Sequence, residues 1–172
     1  NDSVVGLTSV AFDGTLDGAV ISHLHTDHIQ YSSLRVLEES RIPIYVCERE
    51  VPHLAARHYR RSPFLDLKIR PFCERPFQVG EFSIHPFRVP HDGVRQTFGF
   101  EITVRQNGKG RKVVVATDFW NWQGVSGWFE DADFIYVEAN HDRDLLRANP
   151  NPRSHFHLSN ENCGRLLRQA LD

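Results

Sequence analysis

Apolar residues along this chain fall into short blocks whose spacing changes from segment to segment, and the spacing predicts the elements. Ala19-Val20-Ile21-Ser22 is a short apolar run that reads as a buried strand ending in a polar loop. Ile29, Leu34, Val36 and Leu37 then recur at helical intervals, predicting a helix from about Tyr31 to Ser40, and Ile42-Pro43-Ile44-Tyr45-Val46 returns to strand texture. Strand, loop, helix and strand in that order make a βαβ unit. Glu48 to Arg61 reads as a second helix, with a basic end at Arg57-His58-Tyr59-Arg60-Arg61 that suits the helix dipole. From Leu67 the pattern becomes alternation: Leu67 to Arg70, Phe77 to Val79, and Phe82 to Val89 after Gly80. Thr97 to Val104 and Lys112 to Thr117 flank Gln106-Asn107-Gly108-Lys109-Gly110, a hairpin signal. Asp133 to Val137 is a further strand, 143–153 reads as an irregular Asn- and Pro-rich loop, and Glu161 to Leu171 as an amphipathic helix with leucines at 166, 167 and 171, capped by Ser159 or Asn160.

The 172 residues, 40% of them hydrophobic, are enough for one ordinary globular domain. A formal charge of -2 excludes a nucleic-acid binder held by bulk positive charge and leaves room for a local phosphate groove. Lysine occurs only at Lys68, Lys109 and Lys112, so most of the positive charge is arginine. Cys47, Cys73 and Cys163 are widely spaced, which fits neither a disulfide framework nor a zinc ribbon and points to a reducing cytoplasm. No apolar run has the length of a membrane span, so no membrane association is expected. The chain does not begin with Met, and residues beyond those given are expected.

The chemistry concentrates at strand ends. His23-Leu24-His25-Thr26-Asp27-His28 follows the first apolar run, and on extended backbone His23 and His25 point to the same side. Two imidazoles can thus meet on one cation, while Asp27 and His28 curl toward a second. Three imidazoles and a carboxylate in six residues need such compensation, so two adjacent metal positions are the natural reading. His91 ends a strand in Val89-Pro90-His91-Asp92 and is a candidate third ligand for the first metal, whereas His85, within that strand, is a structural or surface residue. Asp118 emerges from Lys112 to Thr117, where an unpaired carboxylate is costly and its two oxygens suit bridging two cations. Trp120, Trp122 and Trp128 read as packing residues. Asp13-Gly14-Thr15 invites comparison with the DxDGT phosphatase motif, but Ala11 stands where that motif needs its nucleophilic carboxylate, so this is a turn.

The residues His23, His25, Asp27 and His28 resemble the HxHxDH signature of the metallo-β-lactamase superfamily. That resemblance implies an α/β layered fold, an αββα sandwich of two mixed β-sheets flanked by helices, with a two-metal hydrolytic site. Val89-Pro90-His91-Asp92, Ala116-Thr117-Asp118, Glu138-Ala139-Asn140-His141-Asp142 and His157-Leu158-Ser159-Asn160 are similar to the YycJ (WalJ/VicX) type, relatives of ribonuclease Z and the PhnP phosphodiesterase. By position, the resemblance implies His23, His25 and His91 on the first metal, Asp27 and His28 on the second, Asp118 between them, and His157 as proton donor near the scissile bond. It also implies that residues 1–172 form a single domain lacking its amino-terminal hairpin and the carboxy-terminal strand that carries the last histidine ligand.

The expected activity is phosphodiester hydrolysis by a hydroxide shared between two divalent cations, zinc or manganese. The expected substrate is single-stranded nucleic acid or a small phosphodiester, which makes the protein a nuclease of exonuclease type. The alternatives are hydrolysis of a small ester, thioester, lactone or cyclic phosphodiester on the same scaffold, and a non-catalytic metal-binding protein. Oligomeric state is not legible in the sequence.

Overall fold

The computed structural model describes residues 14–55, 66–106 and 108–171. The chain divides into two compact units, Asn1–Cys73 and Glu74–Asp172.

In the first unit, β1 (Ala19–Val20), α1 (Tyr31–Glu39), β2 (Ile44–Cys47) and β3 (Ile69–Phe72) build a parallel three-stranded sheet in the order β1-β2-β3. The βαβ unit is present: Ala19 pairs with Ile44 and Val20 with Tyr45, and the Ile21 N–H continues the ladder to the Tyr45 carbonyl at 2.9 Å. Parallel pairing requires such a crossover, and here it is α1. The helix ends by returning two backbone bonds, from Arg41 N–H to the Glu38 carbonyl at 2.9 Å and from Ile42 N–H to the Leu37 carbonyl at 2.8 Å. This is a Schellman end, and Arg41 takes its left-handed position at φ 55° where glycine is usual. Ile42 and Leu37 are both buried in a core with Leu24, Leu34, Ile44 and Leu54, so the helix stop also seats the next strand. Pro71 lies inside β3, at the edge of this sheet among the described strands, where a missing N–H is tolerated.

The second unit is a five-stranded sheet in the order β4-β5-β6-β7-β8, from β4 (Phe77–Val79), β5 (Phe82–Val89), β6 (Thr97–Gln106), β7 (Lys109–Ala116) and β8 (Phe134–Val137). The first four strands run antiparallel, and the expected hairpin closes with Gln106 opposite Lys109 and Gly108 at φ 76°. β8 returns parallel to β7 after a crossover that contains a single 3₁₀ turn, Ser126–Trp128. The core gathers Phe87, Val114, Phe119, Phe129, Leu158 and Leu166, and partly buried Trp122 and Trp128 pack against it. Of the two readings of His85, structural or surface, its contact favours the first: its ring is edge-on to Trp128 at 4.7 Å.

Two expectations change. Residues 143–153 are not an irregular loop: Arg143–Ala148 is a helix, α2, followed by a 3₁₀ segment, Pro152–Phe156. The cause is local, because the Asp142 carboxylate accepts from the Asp144 and Leu145 N–H groups at 2.9 and 3.0 Å and caps the turn. In the last helix, α3 (Asn160–Leu171), Cys163 and Leu166 are buried while Leu171 is exposed, so the apolar stripe stops short of the helix end. Its cap is Ser159, whose hydroxyl accepts from Asn162 N–H at 3.3 Å. The helix expected over Glu48 to Arg61 is present at 51–55; its remainder, with the basic cluster at 57–61, lies outside the described residues, as does the turn residue Asp13. Among the described residues no helix is long and apolar enough to cross a membrane.

Gly99 faces Phe87 across β5 and β6, and the Phe87 ring lies over it while stacking on Trp128 at 4.8 Å. A Cβ at position 99 would stand 2.4 Å from Phe87 Cζ and 3.1 Å from the Ala116 Cβ. Gly99→Ala is therefore expected to destabilise the chain by about 1–3 kcal/mol in urea unfolding, as overpacked cores do. Gly124→Ala, with open space around the added carbon, is the control. Equal midpoints for the two variants would contradict this packing.

Candidate metal centre

In the first unit, β1 delivers the chain into the loop that holds the histidines. His23 is 2% exposed, and its Nε2 stands 3.0 Å from Nδ1 of His25. Two ligands on one tetrahedral zinc at ordinary Zn–N lengths lie about 3.3 Å apart, so this pair fits a shared cation. Ser22 Oγ lies 3.1 Å from His23 Nδ1, an outer contact that fixes the ring and leaves Nε2 facing His25. The His28 and Ile29 N–H groups both reach the His25 carbonyl, at 3.1 and 3.0 Å. That turn folds His28 back until its ring centre is 4.2 Å from that of His23. Asp27 is solvent-exposed, and its carboxylate is 3.9 Å from His28 Nε2. The loop thus brings His23, His25 and His28 together and holds Asp27 beside His28.

In the second unit, the polar groups again sit where apolar strands end. His91 follows β5 by two residues and is 8% exposed. Its Nδ1 meets the Phe156 carbonyl at 3.0 Å, and since a carbonyl only accepts, Nδ1 carries the proton and Nε2 keeps a lone pair for a cation. Asp118 follows β7, buried, at φ 59°. A non-glycine residue in the left-handed region is strained and persists because its surroundings fix it. His157 Nδ1 lies 3.3 Å from Asp118 Oδ1 and 3.0 Å from Glu138 Oε2. One donor atom each from Asp118, Glu138 and His157 forms a group tight enough to hold an ion. The rings of His91 and His157 stand edge to face, 5.3 Å apart.

Glu138 is the residue that sequence reasoning passed over. It leaves β8 as Asp118 leaves β7, a carboxylate directly after an apolar strand, and that was the available signal. Its Oε1 accepts from the Phe119 N–H at 2.7 Å and the Leu158 N–H at 3.1 Å, while Oε2 takes the His157 ring. Burial, with Glu138 nearby, pushes the Cys163 thiol above its usual value, and the residue packs in the core with Leu158 and Leu166.

Residues 9–171 match the family described as a beta-lactamase superfamily domain. The chain belongs to the metallo-β-lactamase superfamily. Among solved structures, the metallo-β-lactamase fold protein YhfI from Bacillus subtilis is similar at 21% identity and TM-score 0.67, over 90% of this chain and 60% of YhfI. A diphosphatase from the PhnP family is similar at 16% identity and TM-score 0.63, over 94% of this chain and 60% of that one. Human tRNase Z, short form, follows at 19% identity and TM-score 0.62, over 88% and 67%. At such identities the likeness is of fold, and the fold is the metallo-β-lactamase fold, with parallel and mixed sheets and flanking helices. The chain spans about 60% of the length of the first two relatives. No curated protein matches the sequence. The His and carboxylate groups of the two units are of the type that holds metal in this superfamily.

Glu138→Leu removes the acceptor of two buried N–H groups and is expected to cost about 2–4 kcal/mol in urea unfolding, given about 1–3 kcal/mol per buried group left unsatisfied. Glu138→Gln, which keeps one acceptor oxygen, is expected to lose less. If Glu138→Leu unfolds at the wild-type midpoint, the assignment of these bonds is wrong.

Proposed function

We propose that this protein is a metal-dependent phosphodiesterase of nuclease type, acting on nucleic-acid phosphodiesters and similar to the YycJ-like branch of its superfamily. The observation that carries the reading is the imidazole of His157, fixed through Nδ1 by Glu138 at 3.0 Å and flanked by Asp118. That contact leaves Nε2 as the atom that exchanges protons, as a general acid for a departing alkoxide requires.

The rest of the assignment draws on the HxHxDH signature and on membership of the superfamily. His23, His25, Asp27, His28, His91 and Asp118 would supply the donor atoms for two divalent cations. An imidazole and carboxylate donor set suits zinc or manganese. When bound, the pair supplies a nucleophile at neutral pH by acidifying water and neutralises charge on the phosphoryl oxygens. The chain's own residues position the reaction: Ser22 and the Phe156 carbonyl orient His23 and His91, and Glu138 orients His157. The relatives' names support phosphoester chemistry, since one is a diphosphatase and another a tRNase.

Bis-p-nitrophenyl phosphate tests the proposal without prejudice to a natural substrate. Turnover is expected to require added zinc or manganese, to fall by more than about a hundredfold in Asp27→Ala, and to fall by about 10²–10⁴-fold in His157→Ala. Undiminished turnover in Asp27→Ala overturns it. Faster turnover of a thioester or lactone than of any DNA or RNA strand would replace it with small-ester hydrolysis.

A further inference from the structure

The His157 side chain also borders a cleft that the chemistry above does not use. It is a cavity of about 520 Å³ within the second unit, walled by Trp120, Arg143, Arg147, His155 and His157. A second cavity, of about 310 Å³, is walled by Trp122 and Arg165 and shares Trp120 and Asn162 with the first. Both volumes fall within the range of about 300–1,000 Å³ typical of ligand sites. Neither is lined by a carboxylate among the described residues. Three guanidinium groups therefore face a space free of acidic walls, in a chain whose formal charge is -2.

Trp120 differs from the other two tryptophans. Trp122 and Trp128 pack against the core, but Trp120 is 47% exposed at the junction of the two cavities. Its backbone is fixed, because its N–H donates to the Pro90 carbonyl at 3.1 Å and it lies two residues beyond the strained Asp118. A rigid turn thus displays a broad apolar ring that the core leaves outside, close in sequence to a carboxylate of the proposed centre. Arg143 and Arg147 also have partners. Arg143 donates to Asn162 Oδ1 at 3.2 Å and pairs with Glu161 at 3.5 Å, and Arg147 pairs with Asp144 at 2.8 Å. Both ion pairs are solvent-exposed and hence weak, so a phosphate can compete for either guanidinium.

A ring displayed between two clefts, with guanidinium groups on both sides, is the combination that binds single strands: stacking on the base and charge along the backbone. We propose that these two cavities form the track for a single-stranded polynucleotide, with one base stacked on Trp120 and the neighbouring phosphates on Arg143 and Arg165. The proposal rests on the phosphodiesterase reading and deepens it, since it makes a polymer the substrate. A lone phosphate monoester has no use for the second cavity or for Arg165.

The test is fluorescence anisotropy of labelled oligothymidylate and oligouridylate, each about ten nucleotides long. Metal is chelated so that binding is read without turnover, and affinity is followed across a salt series. The unaltered chain is expected to bind at least one of them with strong salt dependence. Trp120→Ala is expected to weaken that binding about tenfold or more, Trp120→Phe to retain most of it, and Arg143→Gln with Arg165→Gln to reduce the salt slope by about 1.4, at about 0.7 per phosphate contact on a single strand. Trp120→Phe keeps a ring in the same turn and so separates loss of stacking from loss of fold. Tight binding in Trp120→Ala, or no binding of either oligonucleotide by the unaltered chain, overturns the track. Hydrolysis of bis-p-nitrophenyl phosphate by the unaltered chain reports on the centre separately. Hydrolysis without oligonucleotide binding sinks the track alone, and binding that depends on Trp120 without hydrolysis upholds the track and sinks the phosphodiesterase.

Discussion

A carboxylate largely withdrawn from water is the most demanding group a small domain can carry, and Glu138, whose side chain is 11% exposed, is one around which the second unit is arranged. It must be compensated, and the compensation comes from three places: the Phe119 N–H after β7, the Leu158 N–H before α3, and the His157 ring. Each contact fixes a segment beyond the five strands of this sheet. The β7 end is thereby held in the turn where Asp118 takes a left-handed conformation, and His157 is given one tautomer and one direction. Strain at Asp118 and order at His157 are thus two consequences of the same side chain.

The same economy recurs wherever a polar group of the site appears. Apolar strands end, and the first residues beyond them carry imidazole or carboxylate: His23 after β1, His91 after β5, Asp118 after β7, Glu138 after β8. Strand cores position these residues without themselves being polar, and backbone atoms of neighbouring loops complete the orientation. The Phe156 carbonyl on His91 is one such case, and the pair of N–H groups on the His25 carbonyl is another. A metal centre needs this division, because ligands must be fixed before the ion arrives if their mutual repulsion is not to open the fold.

Much of this could be read from the residues alone, for reasons that differ by element. The strands were legible because alternation in Phe82 to Val89 and Thr97 to Val104 marks one buried face, and α1 because Leu34 and Leu37 recur at helical spacing. His23, His25 and His28 were legible because their density has no structural explanation. Six-residue α2 was hidden by the Asn and Pro that follow it, and its cap at Asp142 was the only local sign. Leu171 misled because leucine spacing marks a face and does not say how far the core extends along it. The tether on His91 could not be foreseen, since every residue offers a carbonyl and only the folded chain selects Phe156. Trp120 reads like its neighbours in sequence, and only its exposure sets it apart.

The account turns on these side chains gripping metal, and elemental analysis after equilibrium dialysis against zinc, then manganese, measures that directly. Two ions bound per chain, with Asp118→Ala losing at least one of them, is the result the account predicts. A chain that retains no ion or a single ion of either metal contradicts it.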